Sequence, residues 1–113
     1  NLQFSVQVEN NDNAIHDMRI WLRKGNDGGA SSDITGSTGY IGLQARKSAT
    51  EFYHNIVGWN YYIEMAANDY IEIYWSTDST TVTIPAYAAG TTPTSPSTAS
   101  AVATLTFVSN LSA

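Results

Sequence analysis

Few residues of this 113-residue sequence carry the side chains that acid–base or nucleophilic chemistry needs: there are two histidines and no cysteine. His16 follows a run of turn-forming residues and His54 sits among apolar neighbours. No Asp or Glu stands at a spacing that would orient either ring as a catalytic triad does, so each is expected to be structural or on the surface. Glu64 and Glu72 are the carboxylates best placed to act as a pair, as in sugar hydrolysis, but both fall on the outward side of their strands, where solvated faces commonly carry such groups. Asn10, Asp12 and Asn13, and again Asn26 and Asp27, offer hard oxygen ligands for calcium. Neither cluster has the spacing of a known calcium loop, and turn formation is the expected role. No catalytic residue, metal site or cofactor is expected.

Aromatic side chains are the more informative group. Trp21, Tyr62, Tyr70 and Tyr74 fall on the outward, polar side of the strands that carry them, among Asn, Asp and Glu. Rings in such surroundings suit either a protein partner or the apolar face of a sugar. With Trp59 and Trp75 they make up the candidate binding or interface residues. Contiguous exposed aromatic surface usually marks an interface, so cover by another subunit is the first expectation and stacking against a glycan the second.

The elements that must position these rings are strands. Leu2, Phe4, Val6 and Val8 alternate without error with Gln3, Ser5, Gln7 and Glu9, the pattern of a strand with one dry and one wet face. Asn10–Asn13 breaks it with residues that bond their own backbone. His16–Lys24 turns Met18, Ile20 and Leu22 inward and Asp17, Arg19, Trp21 and Arg23 outward. Gly25–Ser32 reads as a long flexible loop. Short strands are expected at Asp33–Thr35 and from Tyr40, where Ile41, Leu43 and Ala45 alternate. Phe52, His54 and Ile56 share a side, and Gly58 breaks the parity as a bulge would.

From Trp59 to Trp75 two alternating runs predict a hairpin with Trp59 opposite Trp75, closed by Met65–Asp69, where Asn68 and Asp69 tolerate left-handed backbone. Thr80–Ile84 is a short strand that Pro85 ends. Residues 86–100, rich in Pro, Gly, Ser and Thr, are expected to run extended across a neighbouring subunit. Ala101–Ser109 is expected to be covered on both faces. No segment has helical spacing, and the short Ala45–Tyr53 would not hold a helix alone. Seven or eight strands joined by turn clusters indicate an all-β, two-sheet antiparallel sandwich or jelly roll.

Composition sets outer limits. A chain of this length forms one domain, residues 1–113, burying roughly 65% of its unfolded surface. The net charge of −5 and five scattered Lys and Arg residues argue against nucleic acid. No run approaches the ~18 apolar residues of a membrane span, and no signal segment opens the chain. Asn1 is not Met and Leu2 already lies in a strand, so the chain is expected to be a processed piece of a longer one. Asn110-Leu111-Ser112 matches a glycosylation acceptor.

The order NLQFSVQVEN, IWLRKGN, WNYYIEMAANDYIEIYWSTDSTTVTI and AAGTTPTSPSTASAVATLTFV resembles a group of virion proteins of aquatic and cyanobacterial bacteriophages, over most of the chain. That group is similar to the trimeric jelly rolls of tumour necrosis factor and the complement-type domains. The resemblance implies a ten-strand homotrimeric jelly roll with an aromatic-rich apolar seam on its threefold axis, and neither cofactor nor catalysis. Its partners would be itself and other virion proteins of the capsid or tail, at the virion surface, as head decoration (cement) or tail fibre. A host-surface glycan is the alternative partner. Two departures stand out. A strand region that usually precedes NLQF is missing, and Gly25-Asn26 stands where the group tends to have Asn-Gly. The group has no catalytic motif from which residues could be carried over.

Overall fold

The computed structural model describes residues 1–91 and 94–108. Among these, every regular element is a strand: β1 (Leu2–Asn10), β2 (His16–Asn26), β3 (Ser32–Asp33), β4 (Gly39–Leu43), β5 (Tyr53–Tyr61), β6 (Asp69–Thr77), β7 (Val82–Thr83), β8 (Gly90–Thr91), β9 (Thr94–Ser95) and β10 (Ala101–Leu105). The count exceeds the expected seven or eight because β8 and β9 are two-residue pairings without hydrophobic alternation, inside the segment expected to run extended. Ser109, the end expected for the last strand, and the Asn110-Leu111-Ser112 acceptor lie outside the described residues.

Two antiparallel sheets share one plan. In the first, β1 is the centre; β5 pairs along its whole length, while β10 and β7 divide the opposite edge. In the second, β2 is the centre; β6 is its long partner, and β4 and β3 divide the other edge. This is a two-sheet antiparallel β-sandwich. The cause lies in the alternation of the two central strands. Leu2, Phe4, Val6 and Val8 of β1 and Met18, Ile20 and Leu22 of β2 are all buried, and Leu43 and Val82 complete the core. Burying a side chain of this kind contributes about 1.5–3 kcal/mol, and a register slip of one residue would turn each row outward.

The expected hairpin does not form. Among the described residues β5 pairs only with β1, placing Trp59 opposite Phe4, and β6 pairs only with β2, placing Trp75 opposite Ile20. Residues 62–68 therefore cross from one sheet to the other, with Asn68 at a φ of 68° and Asp69 Oδ2 accepting from the Ala66 amide at 2.8 Å. The apolar faces do meet, as the alternation requires, but across the interior: Trp59, Tyr61, Ile63, Ile71 and Ile73 all pack on the core. Period-two hydrophobicity sets which side is dry, not which strand is next door.

Three smaller expectations are corrected. Gly58 makes no bulge; β5 keeps one register with β1 throughout, with Gly58 opposite Ser5, and the position takes glycine because a Cβ there would collide with the Phe4 carbonyl oxygen. Gly25 and Asn26 extend β2 instead of opening a loop, opposite Tyr70 and Asp69. The 86–100 segment doubles back on itself, Tyr87 and Thr98 exchanging backbone hydrogen bonds of 3.1 and 2.8 Å, since its threonines favour strand pairing.

Candidate functional site

The outer face of the second sheet gathers most of the polar aromatic surface. Because Met18, Ile20 and Leu22 face the core, Arg19, Trp21 and Arg23 of β2 must face away from it, and register sets them beside Tyr40 of β4 and Tyr74 and Glu72 of β6. Trp21 and Tyr74 lie 5.9 Å apart at 48°, a tilted arrangement that ring quadrupoles favour. The guanidinium of Arg23 lies 5.0 Å over the Tyr74 ring and that of Arg19 4.5 Å over Tyr40, within the range of cation–π attraction.

Asp33 holds this cluster at its edge. Its Oδ1 accepts from Trp21 Nε1 at 2.9 Å and from Arg23 Nη1 at 2.7 Å. Ser31 takes two more Arg23 donors, Nε through its Oγ at 3.0 Å and Nη2 through its carbonyl at 2.6 Å. Arg23 is thereby fixed, whereas among the described residues no carboxylate pairs with Arg19.

The six candidate aromatics do not form one patch. Trp21 and Tyr74 are adjacent. Tyr70 shares their face, but its ring lies on Gly25 and its hydroxyl donates to the Gly29 carbonyl at 2.6 Å, pinning a turn. Tyr62, 78% exposed, stands in the crossing segment at the mouth of a hollow of about 250 Å³ lined by Leu22, Ile34, Ser37 and Ile63. Trp59 points inward, 4.8 Å from Phe4 and against Gly39 of the facing sheet, and its Nε1 is buried without a partner. Trp75 takes the core-facing side by register, opposite Ile20, yet is 41% exposed. Tyr40 was missed as a candidate although its signal was present: Ile41 and Leu43 facing inward require Tyr40 to face outward.

A second surface is apolar. β10 is exposed at all five positions, contrary to the expected cover on two faces, and Val102, Leu105, Phe107 and Val108 are 57–76% exposed. It lies at the edge of the first sheet, paired on one side with β1.

The histidines have clear partners. His16 Nε2 lies 2.7 Å from Asp12 Oδ2 and Nδ1 3.0 Å from Asp78 Oδ1. The hydrogen bond to Asp12 raises the imidazole above its ordinary value; burial opposes the rise and the charge of Asp78 adds to it. The bond from His16, then that from the Asn13 amide, holds Asp12 below the usual carboxylate range. Both ring nitrogens are thus spent joining the 10–16 turn to the 77–79 turn, and the orienting carboxylate thought absent from the sequence is Asp12, four residues upstream. His54 is exposed, its Nδ1 3.7 Å from Glu9 Oε2 and its ring 5.8 Å from Tyr87.

The calcium candidates are consumed by turns. Asn10 donates to the Ala14 and Gln44 carbonyls, both at 3.0 Å, and its Oδ1 accepts from Asp12 N and Thr81 Oγ1. Asn26 Nδ2 donates to Asp69 Oδ1 at 2.8 Å. Among the described residues no group of three or more His, Cys, Asp or Glu is arranged to hold a metal. Glu64 and Glu72 sit on different elements, the first in the crossing segment and the second on β6.

An all-β sandwich with one aromatic–arginine face and one apolar edge is the class that fold and surface define. No family model matches this chain, nor does any curated protein or solved structure.

Proposed function

We propose that this chain is a non-catalytic assembly module, a homotrimeric structural protein of a bacteriophage particle that works as a capsid decoration or tail-fibre domain through protein–protein contacts. The observation that carries the reading is the exposed apolar run from Val102 to Val108. Four large apolar side chains within seven residues stand in water in the single chain, and surface of this kind is ordinarily covered by a partner. The trimeric state, the jelly-roll kinship and the virion setting rest on the resemblance of NLQFSVQVEN, IWLRKGN and the later segments to phage virion proteins. A β-sandwich is consistent with that kinship.

Native mass spectrometry tests the reading. The chain at micromolar concentration is expected in assemblies whose copy number is a multiple of three, with Phe107→Asp removing that factor of three while its circular dichroism is unchanged. A stable wild-type monomer overturns the proposal.

A second reading, recognition of a host-surface glycan, is favoured by one arrangement: Trp21, Tyr74 and Tyr40 beside Arg19, whose guanidinium lies on a ring and faces no carboxylate among the described residues.

A further inference from the structure

We infer that the edge of β5, free among the described residues, is a twofold docking site for a second copy of this chain, joining two first sheets into one continuous antiparallel sheet. The argument starts from backbone phase. The Gln7 amide donates to the Ser100 carbonyl at 2.9 Å and the Thr106 amide to the Asn1 carbonyl at 2.8 Å. Odd-numbered residues of β1 therefore bond towards β10, and even-numbered ones towards β5. The register Val6↔Val57 and Phe4↔Trp59 then assigns the odd residues of β5 to the ladder with β1. His54, Ile56, Gly58 and Asn60 turn their N–H and C=O groups to the open side. An independent contact agrees: the Ile56 amide is met by the side-chain Oδ1 of its own neighbour Asn55 at 2.8 Å, so it is not bonded to β1.

Natural sheets guard such an edge with Lys, Pro, a bulge or a short strand. The β5 sequence YHNIVGWNY has nine residues, no Lys, Arg, Asp, Glu or Pro, and an uninterrupted register. β6, the long edge of the second sheet, carries Asp69 and Glu72.

What commits the edge to a second copy is self-complementarity. In antiparallel pairing about a twofold axis through Val57, Ile56 of each copy lies opposite Gly58 of the other, and His54 opposite Asn60. Both pairs come from the set that faces the open side, so each can exchange two backbone bonds without any change of phase, the Ile56 amide trading Asn55 Oδ1 for a partner carbonyl. On the outer face Ile56 is 61% exposed, whereas Gly58 and Ser5 floor a trough of about 520 Å³ walled by Ile56, Asn60, Val102 and Thr104. The Ile56 side chain of one copy would fill the hollow above Gly58 of the other. An isologous contact of this kind closes on itself. Its backbone pairing uses β5 alone, apart from the Val102–Val108 run whose Val102 only walls the trough, and it does not rest on the trimeric reading.

The chain has no cysteine, which makes a single introduced thiol a clean probe. Val57 would face its own copy in a non-hydrogen-bonded pair, with Cα atoms about 4.5 Å apart, a separation a disulfide spans. Val57→Cys under mild oxidation is expected to form a covalent dimer at least tenfold faster than Tyr40→Cys, an exposed control on the other sheet. Ile56→Lys, which leaves the core untouched, is expected to halve the mass of the largest assembly with its circular dichroism unchanged. Phe107→Asp should leave the cross-link intact, which separates this contact from the proposed trimer. Equal cross-linking rates for the two thiols, or an assembly mass indifferent to Ile56→Lys, would overturn the inference.

Discussion

His16 shows how one side chain can serve as a joint. Its ring reaches Asp12 at 2.7 Å and Asp78 at 3.0 Å, and both contacts are hydrogen bonds at once only when the ring is the imidazolium, which donates from both nitrogens. Folding therefore favours the protonated ring, and the folded value is raised. The stability this adds is fully present below the ordinary histidine value of about 6.5 and is lost as pH rises through the raised folded value. Asp12, held low, behaves in the opposite sense: its contribution is present above the ordinary carboxylate range and is lost as pH falls through its depressed value. In thermal melts from pH 5 to 9, the wild type should lose stability relative to His16→Gln as pH rises, with the two curves converging at the alkaline end. Parallel curves across that range would show that the ring is not charged in the fold.

At the scale of the element, Gly58 makes the relation between β5 and β1 testable. Glycine weakens a strand by about 0.5–1 kcal/mol relative to alanine, so replacing it ordinarily helps. At Gly58 the added Cβ would meet the Phe4 carbonyl oxygen and the Ser5 backbone, neither of which can move without separating the two strands. Gly58→Ala is expected to destabilise by about 1–3 kcal/mol, the usual cost of overpacking. Gly42 on β4 has nothing within 4 Å of the same position, and Gly42→Val should be stabilising. Denaturant midpoints of the two variants are expected to move in opposite directions; a shared direction would mean that strand propensity, not close approach, governs both sites.

These elements also show what the sequence made legible. Leu2–Val8 and Met18–Leu22 could be assigned to the core because their alternation has no exceptions and both neighbouring faces are wet. Strand partnership left no comparable mark, since Trp59–Tyr61 and Ile71–Ile73 present the same dry face whether they lie side by side or across the core from each other. Gly58 looked like a bulge because a missing side chain breaks the parity on paper, although in the sheet it allows the chains to approach.

For the whole molecule, the question is which surface meets the outside. The candidate site was only partly visible in advance: Trp21 and Tyr74 could be placed outward by parity, but their adjacency depends on β6 lying beside β2, and the exposure of β10 depends on none of the described residues covering it. The two faces make different demands. An apolar edge without charge is served by another protein surface, whereas the second sheet offers rings flanked by Arg19, Arg23 and Asp33, a mixture suited to sugar rings with hydroxyl or acidic substituents. If a glycan is held there, loss of one stacking ring should cost up to about 1.5 kcal/mol beyond its buried area, roughly tenfold in affinity. Trp21→Ala and Tyr40→Ala would then each weaken a glycan-array signal about tenfold while the assembly mass stays constant. Signals unchanged in both variants would remove the glycan reading, and a fall in assembly mass in either would assign this face to contacts between protein chains.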